Sequence, residues 1–157
     1  MKFRTGLLSL VIAQRRHLPL VAEALVAVTL AGLAIRLWSF SRILESMGRA
    51  PSAAALSAAE RAAVGARIGW AVPAAAKRLP WRATCFPQGL AAQWMLQRRG
   101  IAGTFYYGAS ITGASLDAHV WVMDGERAIV GFREASAMRT LVQVTAGERP
   151  APEGRVA

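Results

Sequence analysis

Residues 80–100 read PWRATCFPQGLAAQWMLQRRG and hold the single cysteine of a 157-residue chain. Thr84, ahead of an apolar run, suits a helix N-cap, and Cys85 is then the first helical residue. Pro87 is tolerated there because first-turn amides have no intrahelical partner. Gly100, behind the Arg98-Arg99 pair, is a stop, so the spacing predicts a helix over 85–99 with Phe86, Leu90 and Trp94 in one apolar row. A thiol is a nucleophile only as thiolate, and a helix N-terminus is one of the few places where backbone alone favours that form. A lone cysteine is also a common inert core residue, and both readings stand at this point. One Cys cannot form an internal disulfide, and with no second Cys and no cluster of His there is no zinc-type ligand set. Neither a metal nor a cofactor is expected.

Downstream the pattern changes from helix to strand. GTFYYGAS (103–110) and AHVWVMDGERAIVGF (118–132) are rich in aromatic and β-branched residues. The second stretch alternates Ala118, Val120 and Val122 against His119, Trp121 and Met123. Asp124-Gly125 reads as a hairpin turn, with Asp124 inside it, and the chain returns through Ala128 to Phe132. His119 therefore falls in the middle of an antiparallel sheet. A helix beginning with Cys, followed by a sheet with His on a central strand, is the arrangement of a papain-like nucleophile. The helix amides favour the thiolate and an oxyanion, while the imidazole takes and returns a proton. Taken singly, a strand His is as readily a satisfied structural group.

Upstream, LPLVAEALVAVTLAGLAI (18–35) carries one charge, Glu23, and the helix is expected to run from Pro19 to about Trp38. Its length touches the lower edge of a membrane span. Positive charge at both ends and the small residues Ala24, Ala27, Ala31 and Gly32 favour instead a core helix, apolar on every side because it is interior, packed on the Ser57 and Cys85 helices. Membrane contact is allowed and a span is not expected. The apolar run is too long for a signal peptide, and no clear cleavage site follows it. FSRILESMG (40–48) is a short amphipathic piece, and 49–56 a linker within one domain. Ser57 and Glu60 form a capping box at the start of the next helix, which places Val64, Ile68, Val72 and Leu79 near one face, bends at Pro73 and is ended by Pro80. Arg61, Arg67 and Arg78 are expected in solvent. The resulting organisation is one domain, with a helical part over 1–56, a catalytic core over 57–146 and a disordered tail over 147–157.

Lys and Arg number 19 against 9 Asp and Glu, a formal charge of +10. Such a surface attracts acidic partners, whether peptide or anionic lipid. Nucleic acid is not expected, because the arginines come as scattered pairs and no basic run is interleaved with aromatics.

The segments LPWRATCFPQGLAAQWMLQRRGIAGTFYYGA (79–109) and LDAHVWVMDGERAIVG (116–131) together resemble the transglutaminase-like cysteine protease of lasso-peptide biosynthesis, the protease half of the split B protein. Pro80, Trp81, Arg82, Cys85, Arg98, Arg99, Gly100, Ile101, Ala118, His119, Trp121, Val122 and Gly125 carry the likeness in order. Val120 stands where the family usually has Ala, and Met123 where it commonly has Glu. The resemblance implies an α+β, transglutaminase-like (papain-like) fold, with a helical N-terminal half and a small antiparallel sheet after the Cys helix. It implies a cytoplasmic cysteine peptidase that removes the leader peptide from a lasso-peptide precursor, with Cys85 as nucleophile and His119 as base, then acid. A separate leader-recognition protein and an ATP-dependent lasso macrocyclase would act with it. The family places an Asp about a dozen residues after the His, whereas Val130, Gly131 and Phe132 stand there in this chain. Glu134 is the nearest acid downstream and the expected orienting residue. Asp124 is five strand positions from His119, about 16 Å at ~3.3 Å per residue, too far for a carboxylate; Asp117 is two positions away. Two other functions stay open at this stage: a non-catalytic scaffold of the same fold that binds leader or partner, and a small membrane-associated helical protein.

Overall fold

The computed structural model describes residues 18–53, 55–112 and 115–148, without the side chains of Thr112, Glu134, Ser136 and Ala137. The expected tail falls outside these residues from 149 onward. Among the described residues the helices α1 (Leu18–Leu37), α2 (Phe40–Gly48), α3 (Ala58–Ala76) and α4 (Cys85–Gln97) come first. The strands β1 (Thr104–Thr112), β2 (Ser115–Asp124), β3 (Arg127–Val130) and β4 (Arg139–Thr145) follow, with a 3₁₀ helix, Phe132–Ala137, between the last two. Runs of helices followed by runs of strands make an α+β fold.

Helix α4 is the centre of the packing. Leu90, Ala91, Ala92 and Leu96 are all fully buried, because α1, α3 and the sheet surround it. That is why its sequence is apolar around most of its circumference. It ends close to expectation, Arg98 being the C-cap and Gly100, at φ 75°, the left-handed residue beyond it. Two buried glutamines on it bond to main chain: Gln93 Nε2 donates to Gly103 O at 2.7 Å, and Gln97 Nε2 to Met47 O at 2.6 Å. These bonds tie the end of α2 and the start of the sheet to the central helix.

Helix α1 packs on α3 and α4 as expected but is not interior. Leu20, Ala24, Val28, Ala31 and Ala34 form its buried stripe, while Val26, Leu30, Leu33 and Leu37 are exposed. A helix at the edge of a bundle buries one stripe only, so the expectation of burial on every side fails here. Trp81 lies across α1: a Cβ on Gly32 would sit 2.8 Å from the Trp81 ring, which fixes the segment leading into Cys85. Helix α3 opens with the expected capping box, Ser57 Oγ accepting from the Glu60 amide while the Glu60 carboxylate accepts from the Ser57 amide at 2.8 Å. Pro73 lies inside α3, and the helix ends at Ala76 ahead of Pro80.

The sheet order is β3-β2-β1-β4, every pair antiparallel, so His119 lies on an inner strand. Phe105, Val120, Val122, Ile129, Val130 and Val144 join the helical core, while Tyr106 stacks on Trp121 on the other face with centroids 5.3 Å apart. Strand β4 has no counterpart in the sequence expectations; only Val144 in it is buried, as befits an edge strand with little alternation to read.

The hairpin differs from expectation by one position. Asp124 pairs with Arg127, leaving Gly125 and Glu126 as the turn, with Gly125 at φ 57°. Positive φ at the first turn position alone is the sign pattern of a II′ turn, which wants Gly there. Asp124 is thus the last strand residue and is buried, held by Arg61 of α3 at 2.5 Å and by Arg127 at 3.7 Å. Arg61, expected in solvent, is therefore a bridge between α3 and the hairpin.

Candidate active site

Cys85 is the first residue of a 13-residue helix, and Thr84 holds the N-cap position, although its side chain makes no capping bond. Instead, Gln88 Nε2 reaches back to Ala83 O at 2.8 Å and closes the turn before the cysteine. The helix end is therefore shaped by a backbone acceptor upstream, and the first-turn amides stay uncapped by Thr84 beside the thiol. Cys85 is half-buried and free of any disulfide.

One turn further along, Gly89 presses on the sheet: a Cβ there would overlap Val120 Cγ1 and come within 3.1 Å of the Phe105 ring. Only a residue without a side chain lets α4 approach β2 this closely. Val120 adjoins His119, so the contact that seats the helix also sets the cysteine end of it against the histidine strand. Helix α3 approaches in the same way through Gly69, whose Cβ would meet Ile129 O at 2.5 Å.

Strand β3 pairs with β2 only from Val122 to Asp124, so among the described residues β2 has no strand neighbour on that side near His119. A cleft of about 770 Å³ opens at that edge. Cys85, Gln88 and His119 line it together with Lys77, the C-cap of α3, and with Gly131, Phe132 and Arg133. The thiol and imidazole expected from sequence are thus brought to one cavity, with cationic side chains at its rim and no carboxylate among the described lining residues. His119 Nε2 lies 2.8 Å from Gly131 O. Asp124, five positions away, is committed to Arg61 and Arg127. Asp117 pairs with Ser110 on β1 and is exposed. The backbone of Glu134 belongs to the 3₁₀ helix after Gly131, and its side chain lies outside the described residues. A larger groove, about 1010 Å³ between the outer face of α1 and the end of α4, holds neither thiol nor imidazole.

A helix-terminal cysteine and a strand histidine in one cleft at the edge of a small antiparallel sheet meet a family model that extends well beyond that cleft. The transglutaminase-like superfamily model matches residues 25–144. The chain belongs to the transglutaminase-like superfamily. No curated protein and no solved structure matches it. The match begins within α1 and reaches into the edge strand β4, so it covers most of α1 and all of α2 as well as the cysteine and histidine segments. Sequence reasoning missed Gly131 as a site residue. The signal that could have found it is a glycine directly after a short strand, where a left-handed residue can turn its carbonyl toward a neighbouring strand.

Proposed function

We propose that this chain is a cysteine peptidase that removes the leader peptide from a lasso-peptide precursor. The observation that supports it most is the shared cleft of Cys85 and His119 in a transglutaminase-like domain, a superfamily that includes cysteine peptidases. The leader specificity rests on the sequence resemblance of the segments around both residues. In this reading the Cys85 thiol gives its proton to His119, and the thiolate attacks the scissile carbonyl carbon, forming a C–S bond. Amides at the start of α4 donate to the oxyanion. His119 returns the proton to the leaving amine as the C–N bond breaks. Water, deprotonated by the same imidazole, then cleaves the thioester and restores the thiol. The protein works in the cytoplasm with a separate leader-recognition protein, and a lasso macrocyclase consumes the freed core peptide. The basic rim of Lys77 and Arg133 supports an acidic feature on the precursor or its carrier.

The test is Cys85→Ala, assayed by mass spectrometry of a precursor incubated with the purified pathway proteins. Leader removal should be lost while binding of the precursor complex is kept. A second reading, a leader-binding scaffold without cleavage, draws support from Val130, Gly131 and Phe132, which stand where the family places its Asp. It requires Cys85→Ala and the native chain to give the same maturation.

A further inference from the structure

We infer that the backbone carbonyl of Gly131 orients the His119 imidazole through its Nε2 and selects its tautomer. This deepens the peptidase reading and rests on it for the part His119 plays in proton transfer, but the bond itself stands apart from that reading. The Nε2···O distance is 2.8 Å. A carbonyl can only accept, so Nε2 must carry the proton and donate it, and Nδ1 is then the basic nitrogen of the neutral ring. The bond thus selects the tautomer as well as the ring orientation.

Three features of the backbone bring this carbonyl to the histidine. Pairing along β2 and β3 passes from Met123↔Ala128 to Val122↔Val130, so Ile129 is an extra residue and the strand is bulged. A bulge bends its strand and re-aims the residues beyond it. Gly131 then adopts φ 75° as the N-cap of the 3₁₀ helix, a conformation that L side chains rarely take. Lastly, a Cβ at Gly131 would overlap Val120 O and lie 3.2 Å from both His119 Nε2 and Trp121 Cα. Glycine is required twice over, by the dihedral and by the space. Gly131 is accordingly a positioning residue, acting on the reaction only through His119. A neutral dipole in that place continues to accept from Nε2 when the ring gains a second proton, and the bond becomes charge-assisted.

The experiment uses the full chain labelled with ¹⁵N-histidine and ¹³C-carbonyl glycine. In long-range ¹H–¹⁵N spectra of the neutral ring, His119 should be protonated at Nε2 and bare at Nδ1, and its Nε2 should show scalar coupling across the hydrogen bond to one glycine carbonyl. His17 is the only other histidine and serves as the internal contrast. Protonation at Nδ1 instead, or coupling to no glycine, overturns the inference. Glu134→Gln should leave tautomer and coupling unchanged, whereas their loss would assign the orienting role to the carboxylate. Gly131→Ala, strained at a φ of 75°, should lower kcat for leader cleavage about 100-fold, with KM unchanged, as expected for a disabled acid–base group. A folded Gly131→Ala that keeps native kcat overturns the inference, and if that variant does not fold, the native and Glu134→Gln spectra decide. If native protein cleaves no precursor while the coupling is present, the peptidase reading fails and the orientation of His119 stands.

Discussion

At the residue scale, two positions outside the Cys85–His119 pair bear on how α3 meets the hairpin beside the cleft. Gly69 meets the main chain at Ile129 O, which cannot rotate away as a side chain would. Gly69→Ala must therefore push α3 off β3, at a cost of about 1–3 kcal/mol, and a urea melt should show it. Because Gly69 and Pro73 also line the cleft, the same variant should lose leader cleavage beyond what its stability loss explains. Asp124 has 5% of its side chain exposed and is held mainly by Arg61. Arg61→Ala leaves that carboxylate with only the longer Arg127 contact, and should destabilise the fold by about 1.5–3 kcal/mol. Arg67→Ala, on the same helix without such a partner among the ion pairs of the described residues, should change stability by less than about 0.5 kcal/mol. Equal effects from the two substitutions would mean that the Asp124 bridge contributes nothing.

Between elements, a bidentate charged tie joins Glu23 of α1 to Arg99 beyond the end of α4. Arg99 Nη1 and Nη2 donate to the two carboxylate oxygens at 2.9 and 2.5 Å. This hydrogen bonding holds the Glu23 carboxyl below its ordinary value of 4.5, burial opposes it, and the charges of Arg99 and Arg98 add to the lowering. A carboxyl with a lowered folded value stabilises the fold above the unfolded value and loses that contribution as pH falls through the folded one. Glu23→Gln should therefore cost about 1–2 kcal/mol near neutral pH, with the difference from the native chain closing in acid below the ordinary value. Denaturant midpoints measured from pH 7 to pH 3 check this; a gap that stays constant with pH would assign the effect to packing instead. The pairing also explains why a charge sits within an otherwise apolar helix: Glu23 docks α1 on the central helix.

For the molecule as a whole, the question is what holds a 20-residue apolar helix in place. Helix α1 is long and apolar enough to cross a membrane, by length and composition alone, yet its Ala24–Val28–Ala31 stripe is fully buried against the domain. Leu30 and Ala31 are sequence neighbours with opposite surroundings, 52% and 0% exposed. Ala31→Glu should prevent folding or cost several kcal/mol, since an unpaired carboxylate would enter the core. Leu30→Glu should leave the melt within about 0.5 kcal/mol of the native chain. If Leu30→Glu proved the more damaging of the two, the outer face of α1 would be covered in solution.

The sequence alone was enough for α4 and its first residue, for the capping box of α3, and for strand character around His119, because each depends on neighbours within one or two turns. Thr84, Pro87 and Gly100 mark helix limits by what their own backbones can and cannot do. The superfamily was legible for the same reason, in short fixed segments around Cys85 and His119. Tertiary structure alone decided the rest. The one-sided burial of α1 depends on which helices lie beside it, and the partner of Arg61 lies 63 positions away in sequence. The edge strand β4 exists because β1 offers it a ladder, not because its own pattern alternates. Most of all, His119 Nε2 meets a main-chain carbonyl, and a carbonyl is present at every residue. Residue identity could direct the search only toward acids such as Glu134; a bulge at Ile129 and a left-handed Gly131 are what bring that carbonyl to the imidazole.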